Sequence, residues 1–109
     1  MVRKGSDEMK KVVINDKYGG FGLSDEAIVH YNKLRNQYKL EPVNVWSGRF
    51  IPRDDIHLIE VIEKLGSDAN LYFSRLKIVE IPKDNYFYIF DYDGWETLVH
   101  SNSPIIEAE

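Results

Sequence analysis

Six stretches of apolar residues in this chain have a spacing that predicts four strands and two helices. Runs rich in β-branched or aromatic residues, which are typical of strands, occupy residues 12–15, 76–81, 86–92 and 95–99. Apolar residues three or four positions apart predict one helix over 24–38 and a second over 56–65. The order strand, helix, helix, strand, strand, strand favours an α+β fold, with a small mixed or antiparallel sheet of about four strands and the two helices packed on it.

Local signals mark several ends of these elements. Ser24 is an N-cap residue followed by two acids, so the first helix starts there. Asp54 or Asp55 caps the second helix, and Gly66 lies just past its end, where glycine is favoured. The Asp-Gly pair at 93–94 predicts a tight hairpin turn between the last two strands.

Composition places the chain among ordinary single-domain globular proteins. Its 109 residues include 43% hydrophobic residues and no cysteine, which excludes a disulfide scaffold and a thiolate metal site. We expect a flexible leader over 1–10, one domain over 11–100 and a polar tail over 101–109. No apolar run approaches the length of about 18 residues that a membrane span needs. No secretory leader is recognisable, so we expect a cytoplasmic protein that does not bind membranes.

Charge is distributed unevenly around the formal net value of −4. Residues 80–109 hold Lys83 as their one basic residue against seven Asp/Glu, whereas residues 1–79 carry a small positive balance. An acidic chain without a broad basic face is a poor candidate for binding duplex nucleic acid. The acidic C-terminal third instead favours a basic protein partner.

A glycine-rich segment joins the first strand to the first helix. Gly19, Gly20 and Gly22 fall within four residues, and free backbone N–H groups at a helix entry attract anions. No lysine follows the last glycine, and the spacing matches no phosphate-binding fingerprint. The segment is therefore either an anion site or a tight structural turn that exposes Tyr18 and Phe21.

Cationic and aromatic residues are interleaved over 31–53. For a nucleotide-like ligand we expect backbone contacts from residues 19–22, which include Phe21, and stacking on Tyr18 and Trp46. Arg49 and Arg53 would bind its phosphate. The alternative is that these residues are solvated surface charges and core aromatics.

Neither a metal ion nor another cofactor is predicted. The three histidines are scattered along the chain, and no serine lies in a G-x-S-x-G motif. Asp91, Asp93 and Glu96 surround the predicted turn without the spacing of a calcium loop. Asp54 and Asp55 can be read as an acid–base pair, although helix capping explains them more simply. A metal-dependent hydrolase or nuclease using either acidic group is our weakest hypothesis.

Five segments of the chain, taken in sequence order, resemble sequence blocks of a known group of proteins. The run at 12–24 reads VVIN-x-x-YGGFGLS, and later blocks stand at 53–54, 61–66, 76–82 and 92–96. Together they resemble a family of small uncharacterised proteins encoded in bacteriophages and prophages. The resemblance covers about half of the chain. It implies a phage origin and action in the cytoplasm of the bacterial host, and it implies no particular activity.

Two main functions follow from these observations. We expect a non-enzymatic phage accessory protein that binds a small anionic, nucleotide-like ligand or a host component, for example to sequester a signal used in host defence. The alternative is a protein–protein interaction module or homo-oligomer that acts on a host protein through its aromatic strands and acidic C-terminal third. The aromatic residues Tyr86, Tyr88, Phe90 and Tyr92 alternate with Phe87 and Ile89, which predicts a strand substantially covered on both faces. Seven tyrosines cannot all be buried, however, so part of their surface should meet a partner or a second copy.

Overall fold

The computed structural model describes residues 8–43 and 51–103 of this chain. Within these residues the strands and helices are β1 (Met9–Asn15), α1 (Asp25–Gln37), α2 (Ile56–Leu65), β2 (Leu76–Pro82), β3 (Tyr86–Tyr92) and β4 (Trp95–Ser101). A short 3-10 helix, Gly66–Ala69, follows α2. This order confirms the predicted α+β fold with four strands and two helices. The strands pair antiparallel as two two-stranded sheets, β1 with β2 and β3 with β4.

The β1–β2 sheet has buried residues on both of its faces. Side chains of a strand alternate between its two faces. On one face, Val13 and its cross-strand partner Ile78 pack into the main core with α1 and α2. On the other face, Val12, Ile14 and Ile81 are also buried. A sheet covered on both faces requires a continuous apolar run in β1 rather than an alternating one.

The β3–β4 hairpin lies over that second face. Lys10, which shares the face with Val12, holds its ammonium group 5.2 Å from the centroid of the Phe87 ring in β3. At the other end of β1, the Asn15 N–H donates to a carboxylate oxygen of Glu96 in β4 at 2.8 Å. The hairpin therefore contacts β1 near both ends of the strand. Because an isolated two-stranded hairpin is only marginally stable, β3 and β4 depend on this packing.

Local sequence determines where the helices begin and end. The Ser24 hydroxyl caps α1 by accepting the Ala27 N–H at 3.1 Å, and Asp55 caps α2 by accepting the His57 N–H at 2.9 Å. Gly66 ends α2 at a φ of +58°, a conformation that glycine adopts without strain. These positions confirm the predicted caps.

Asp55 also connects the two helices. The hydroxyl of Tyr31 in α1, which is 1% exposed, donates a hydrogen bond to the other oxygen of the Asp55 carboxylate. Burial, followed by the hydrogen bond to Asp55, raises the pKa of Tyr31 to about 12. The folded chain therefore favours the neutral phenol well above the pH at which an exposed tyrosine ionises.

The ends of the described structure differ slightly from expectation. β1 begins at Met9, inside the predicted leader, because Met9 pairs with Pro82. β4 continues to Ser101, the first residue of the predicted tail, because Ser101 pairs with Tyr86. The predicted domain limits otherwise stay predictions, since residues 1–7 and 104–109 lie outside the described residues. Across the described ranges, no helix is long and apolar enough to cross a membrane.

Candidate functional site

The outer side of the β3–β4 hairpin is an aromatic surface. Direct cross-strand partners share a face, and successive residues of a strand point to opposite faces. Glu96 is buried against β1, so its neighbour Trp95, and Tyr92 paired with Trp95, must point outward. The same alternation defines what we call the aromatic face, which consists of Tyr86, Tyr88, Phe90, Tyr92, Trp95 and Val99.

Much of the aromatic face is open to solvent. The side chains of Tyr86, Phe90 and Tyr92 are 54%, 53% and 65% exposed, and Trp95 is 37% exposed. With about 200 Å² for each aromatic side chain, these four residues leave roughly 400 Å² of aromatic surface uncovered. The expectation that both faces of β3 are largely covered is therefore wrong for the outer face. A patch of this size on a monomer is often functional.

Tyr18 extends this surface beyond the hairpin. Its ring centroid lies 4.8 Å from that of Trp95, with the two planes at 85°, and 6.5 Å from that of Tyr92, with the planes at 58°. Tyr18 is 53% exposed. The Trp95 indole N–H donates to a carboxylate oxygen of Asp16 at 3.0 Å. We call the cluster of Tyr18, Tyr92 and Trp95 the aromatic corner.

The glycine-rich segment holds Tyr18 in this position. The Gly19 N–H donates to the Asp93 carbonyl of the hairpin turn at 3.3 Å. A Cβ atom added to Gly94 would lie within 2.7 Å of backbone atoms of Gly19 and would also collide with the Gly20 nitrogen. The two segments thus pack backbone against backbone, which only glycine permits. These contacts give the segment a structural role in packing against the hairpin turn.

The remaining predicted residues of the glycine segment lie deeper in the fold. The Gly22 carbonyl accepts the hydroxyl of the buried Ser74 at 2.8 Å. Phe21 is 9% exposed, so it is not presented to solvent as Tyr18 is. The two aromatic residues of the segment are therefore separated: Tyr18 joins the aromatic corner, whereas Phe21 belongs to the core.

Arg53 contacts Phe21 and Glu96, and the sequence did not predict Glu96 as its partner. Its guanidinium carbon lies 3.7 Å from the centroid of the Phe21 ring. The same group forms a bidentate ion pair with Glu96, in which Nη2 and Oε2 are 2.9 Å apart. The Arg53 and Glu96 side chains are 15% and 4% exposed. The Glu96 carboxylate therefore already occupies both Nη atoms of this arginine.

No local signal could have revealed this ion pair. The two residues are 43 positions apart, and Glu96 lies in a hairpin strand beside a turn, where a solvated acid is the ordinary expectation. The other two predicted ligand-binding residues, Trp46 and Arg49, lie outside the described residues. Their predicted roles therefore stay predictions, as does the anion-binding role of the glycine segment.

The described residues also form a surface groove, which has fewer features of a binding site. A surface groove of about 460 Å³ lies between β1 and α2, with Lys11 and Glu63 forming an ion pair beside it. None of the residues predicted to bind a ligand lines this groove, whereas Asp54 of the predicted acid–base pair does. In the ranges 8–43 and 51–103, no three His, Cys, Asp or Glu side chains gather as metal ligands would.

No family model, no curated protein and no solved structure matches this chain. The resemblance to phage-encoded proteins, and the origin and host location that it implies, therefore stay predictions.

Proposed function

We propose that this chain is a non-enzymatic protein-interaction module that binds a basic protein partner through its aromatic face. The observation that carries this proposal is the position of four half-exposed aromatic side chains on the outer side of one hairpin. Tyrosine and tryptophan are the residues that most often anchor protein interfaces, because they bury a large area and lose little conformational entropy.

The charge around the aromatic face supports a basic partner rather than a second copy. Residues 86–103 contain three acids and no Lys or Arg. Glu96 is neutralised by Arg53, but Asp91 and Asp93 are exposed at the turn. No ion pair among the described residues involves either of them. Two copies meeting through this face would bring like charges together, whereas a basic surface would be attracted.

The same contacts weigh against a small anionic ligand at Arg53. Its guanidinium already has a carboxylate and an aromatic ring as partners, and both are held in the interior of the fold. Tyr18 is presented to solvent, but it lies among aromatic rings at an acidic turn, where a phosphate would be repelled. Protein binding is thus the function that the described geometry supports best.

Site-directed photo-crosslinking in the cell that naturally produces the protein tests this proposal. A benzoylphenylalanine at position 90 places the probe on the aromatic face, where Phe90 is 53% exposed. The matched control carries the probe at position 72, because Tyr72 is 88% exposed but lies outside that face. We expect an adduct with a basic protein from position 90 alone, and we expect its yield to fall as salt is raised before irradiation of the lysate.

Two results would contradict the proposal. Equal adducts from positions 90 and 72 would show that exposure alone, rather than the aromatic face, determines capture. A crosslinked dimer of this chain, supported by a dimer in sedimentation equilibrium at micromolar concentration, would replace the basic partner by a second copy.

A further inference from the structure

We infer that the aromatic corner is a binding site for one cationic side chain, lysine or arginine, of the protein partner. This inference rests on the proposed function and assigns a specific contact within it. It concerns Tyr18, Tyr92 and Trp95, which lie at the turn end of the aromatic face.

The geometry of the three rings fits a cation. The planes of Tyr18 and Trp95 meet at 85° and those of Tyr18 and Tyr92 at 58°, so the three neighbouring rings present their π faces in different directions. All three side chains are at least 37% exposed, which leaves ring surface for a ligand. A cation that lies within about 6 Å of several ring centroids is attracted by each quadrupole. A flat apolar ligand would instead favour parallel ring planes, between which it could stack.

Electrostatics adds to this preference. The Trp95 indole N–H donates to the Asp16 carboxylate, which places a negative charge beside the ring. Arg75 lies 3.7 Å from the other Asp16 oxygen and offsets part of that charge, and the neighbouring Lys17 is exposed. Asp93, in the adjoining turn, is exposed without an ion pair among the described residues.

The cations in the described residues that stack on rings do so elsewhere. Lys10 lies over Phe87, Arg35 over Tyr31 and Arg53 over Phe21. None of these rings belongs to the aromatic corner. The aromatic corner therefore presents ring faces beside acidic groups, and no cation of the described residues lies over these rings. This arrangement is the one expected if a cation of a binding partner occupies the corner.

The test is an NMR titration of the full ¹⁵N-labelled chain, observed at the Trp95 indole N–H. A Trp46→Phe variant identifies the Trp95 signal, since the chain has two tryptophans. The probes are Nα-acetyl-arginine methylamide, the corresponding lysine compound, and the citrulline compound as a neutral isostere of arginine, all at equal ionic strength. We expect the cationic probes to bind roughly five- to thirtyfold more tightly than citrulline. The stronger of the two identifies the preferred side chain.

Matched variants localise the effect. Tyr18→Leu keeps an apolar side chain but removes one ring of the corner, and it should abolish the difference between arginine and citrulline. Tyr72→Leu removes an exposed ring elsewhere and should leave the difference unchanged. Amide spectra of both variants show whether each retains the fold. If citrulline and arginine shift the Trp95 signal equally, or if folded Tyr18→Leu behaves as the parent chain does, the inference is overturned.

The outcome is separable from that of the proposed function. Specific crosslinking at position 90 without cation binding would refute the corner site alone. Cation binding without any protein adduct at position 90 would refute the interaction module and leave a free cationic ligand as the occupant of the corner.

Discussion

Replacing Arg53 by methionine removes the positive partner of an almost completely buried carboxylate. Glu96 is 4% exposed at its side chain, and its remaining described partner is the Asn15 N–H at 2.8 Å. Methionine fills much of the arginine volume and retains contact with Phe21, so the main change is the loss of charge and of two hydrogen bonds. We expect Arg53→Met to destabilise the protein because a carboxylate without its countercharge remains in the interior.

The size of the effect follows from the burial of the pair. Removing one partner of a buried ion pair typically costs about 3–5 kcal/mol. In a domain of about this size each 1 kcal/mol lowers Tm by about 4 °C or more, so a decrease of at least about 12 °C is expected. Neutralising both groups, in Arg53→Met with Glu96→Gln, should recover at least about 2 kcal/mol of this loss, since the glutamine oxygen can still accept the Asn15 N–H.

Urea denaturation followed by circular dichroism measures these differences at pH 7. The matched control is the Lys11–Glu63 ion pair, whose side chains are 39% and 46% exposed. An exposed pair contributes about 0–1 kcal/mol, so Lys11→Met should change stability little. If Arg53→Met costs no more than Lys11→Met, or if the double variant is as unstable as the single one, the assignment of Arg53 and Glu96 as a buried ion pair is refuted.

Three further predictions concern a close backbone contact, alkaline pH and a buried amide. Gly94→Ala places a methyl group against the glycine segment at a φ of +89°. It should lower the free energy of unfolding by at least about 2 kcal/mol more than Gly66→Ala, where the space is open and φ is +58°. Equal losses of stability in thermal unfolding would contradict this prediction. The raised pKa of Tyr31 means that the folded chain retains a proton which the unfolded chain releases near pH 10, so stability should fall as pH rises from about 10 to about 12. Urea titrations over this range should show a smaller fall for Tyr31→Phe, and an identical fall would be evidence against the effect. Asn15→Asp replaces two N–H donations to backbone carbonyls, at 2.6 and 2.7 Å, by oxygen–oxygen repulsions within the core, so it should lower the free energy of unfolding. A loss below about 1 kcal/mol in urea denaturation would argue against this hydrogen-bond network.

The parts of the fold that the sequence could predict are those determined by neighbouring residues. Ser24, Asp55 and Gly66 act through hydrogen bonds or dihedral angles within one helix turn, and the structure confirms each as a cap. The turn at 93–94 also follows from two residues, both of which adopt the positive φ that a two-residue hairpin needs. The class of fold follows from the order of these elements.

What the sequence could not predict depends on contacts between distant residues. The pairing of the strands as two separate antiparallel pairs depends on which strands meet, and a hydrophobic pattern does not specify its partner. Alternation over 86–92 places Tyr86, Tyr88, Phe90 and Tyr92 on one side of β3, but it does not specify which side faces solvent. For the same reason the sequence predicts one ligand site from Tyr18 and Arg53, whereas the structure places Tyr18 at the surface and Arg53 in a buried ion pair with Glu96.

The first strand of the described structure depends on residues that are synthesised much later. β1 pairs with β2 from Met9 opposite Pro82 onward, and Asn15 bonds to Gly94 and Glu96, which are 79 and 81 positions away. At about 5–20 residues per second, the apolar run in β1 waits roughly 4–16 s for these partners during synthesis. Helices α1 and α2 can form within that interval because their contacts are local. We therefore expect the nascent chain to fold from its middle outward, and β1 to be the segment most exposed to chaperones and to aggregation before the final hairpin closes over it.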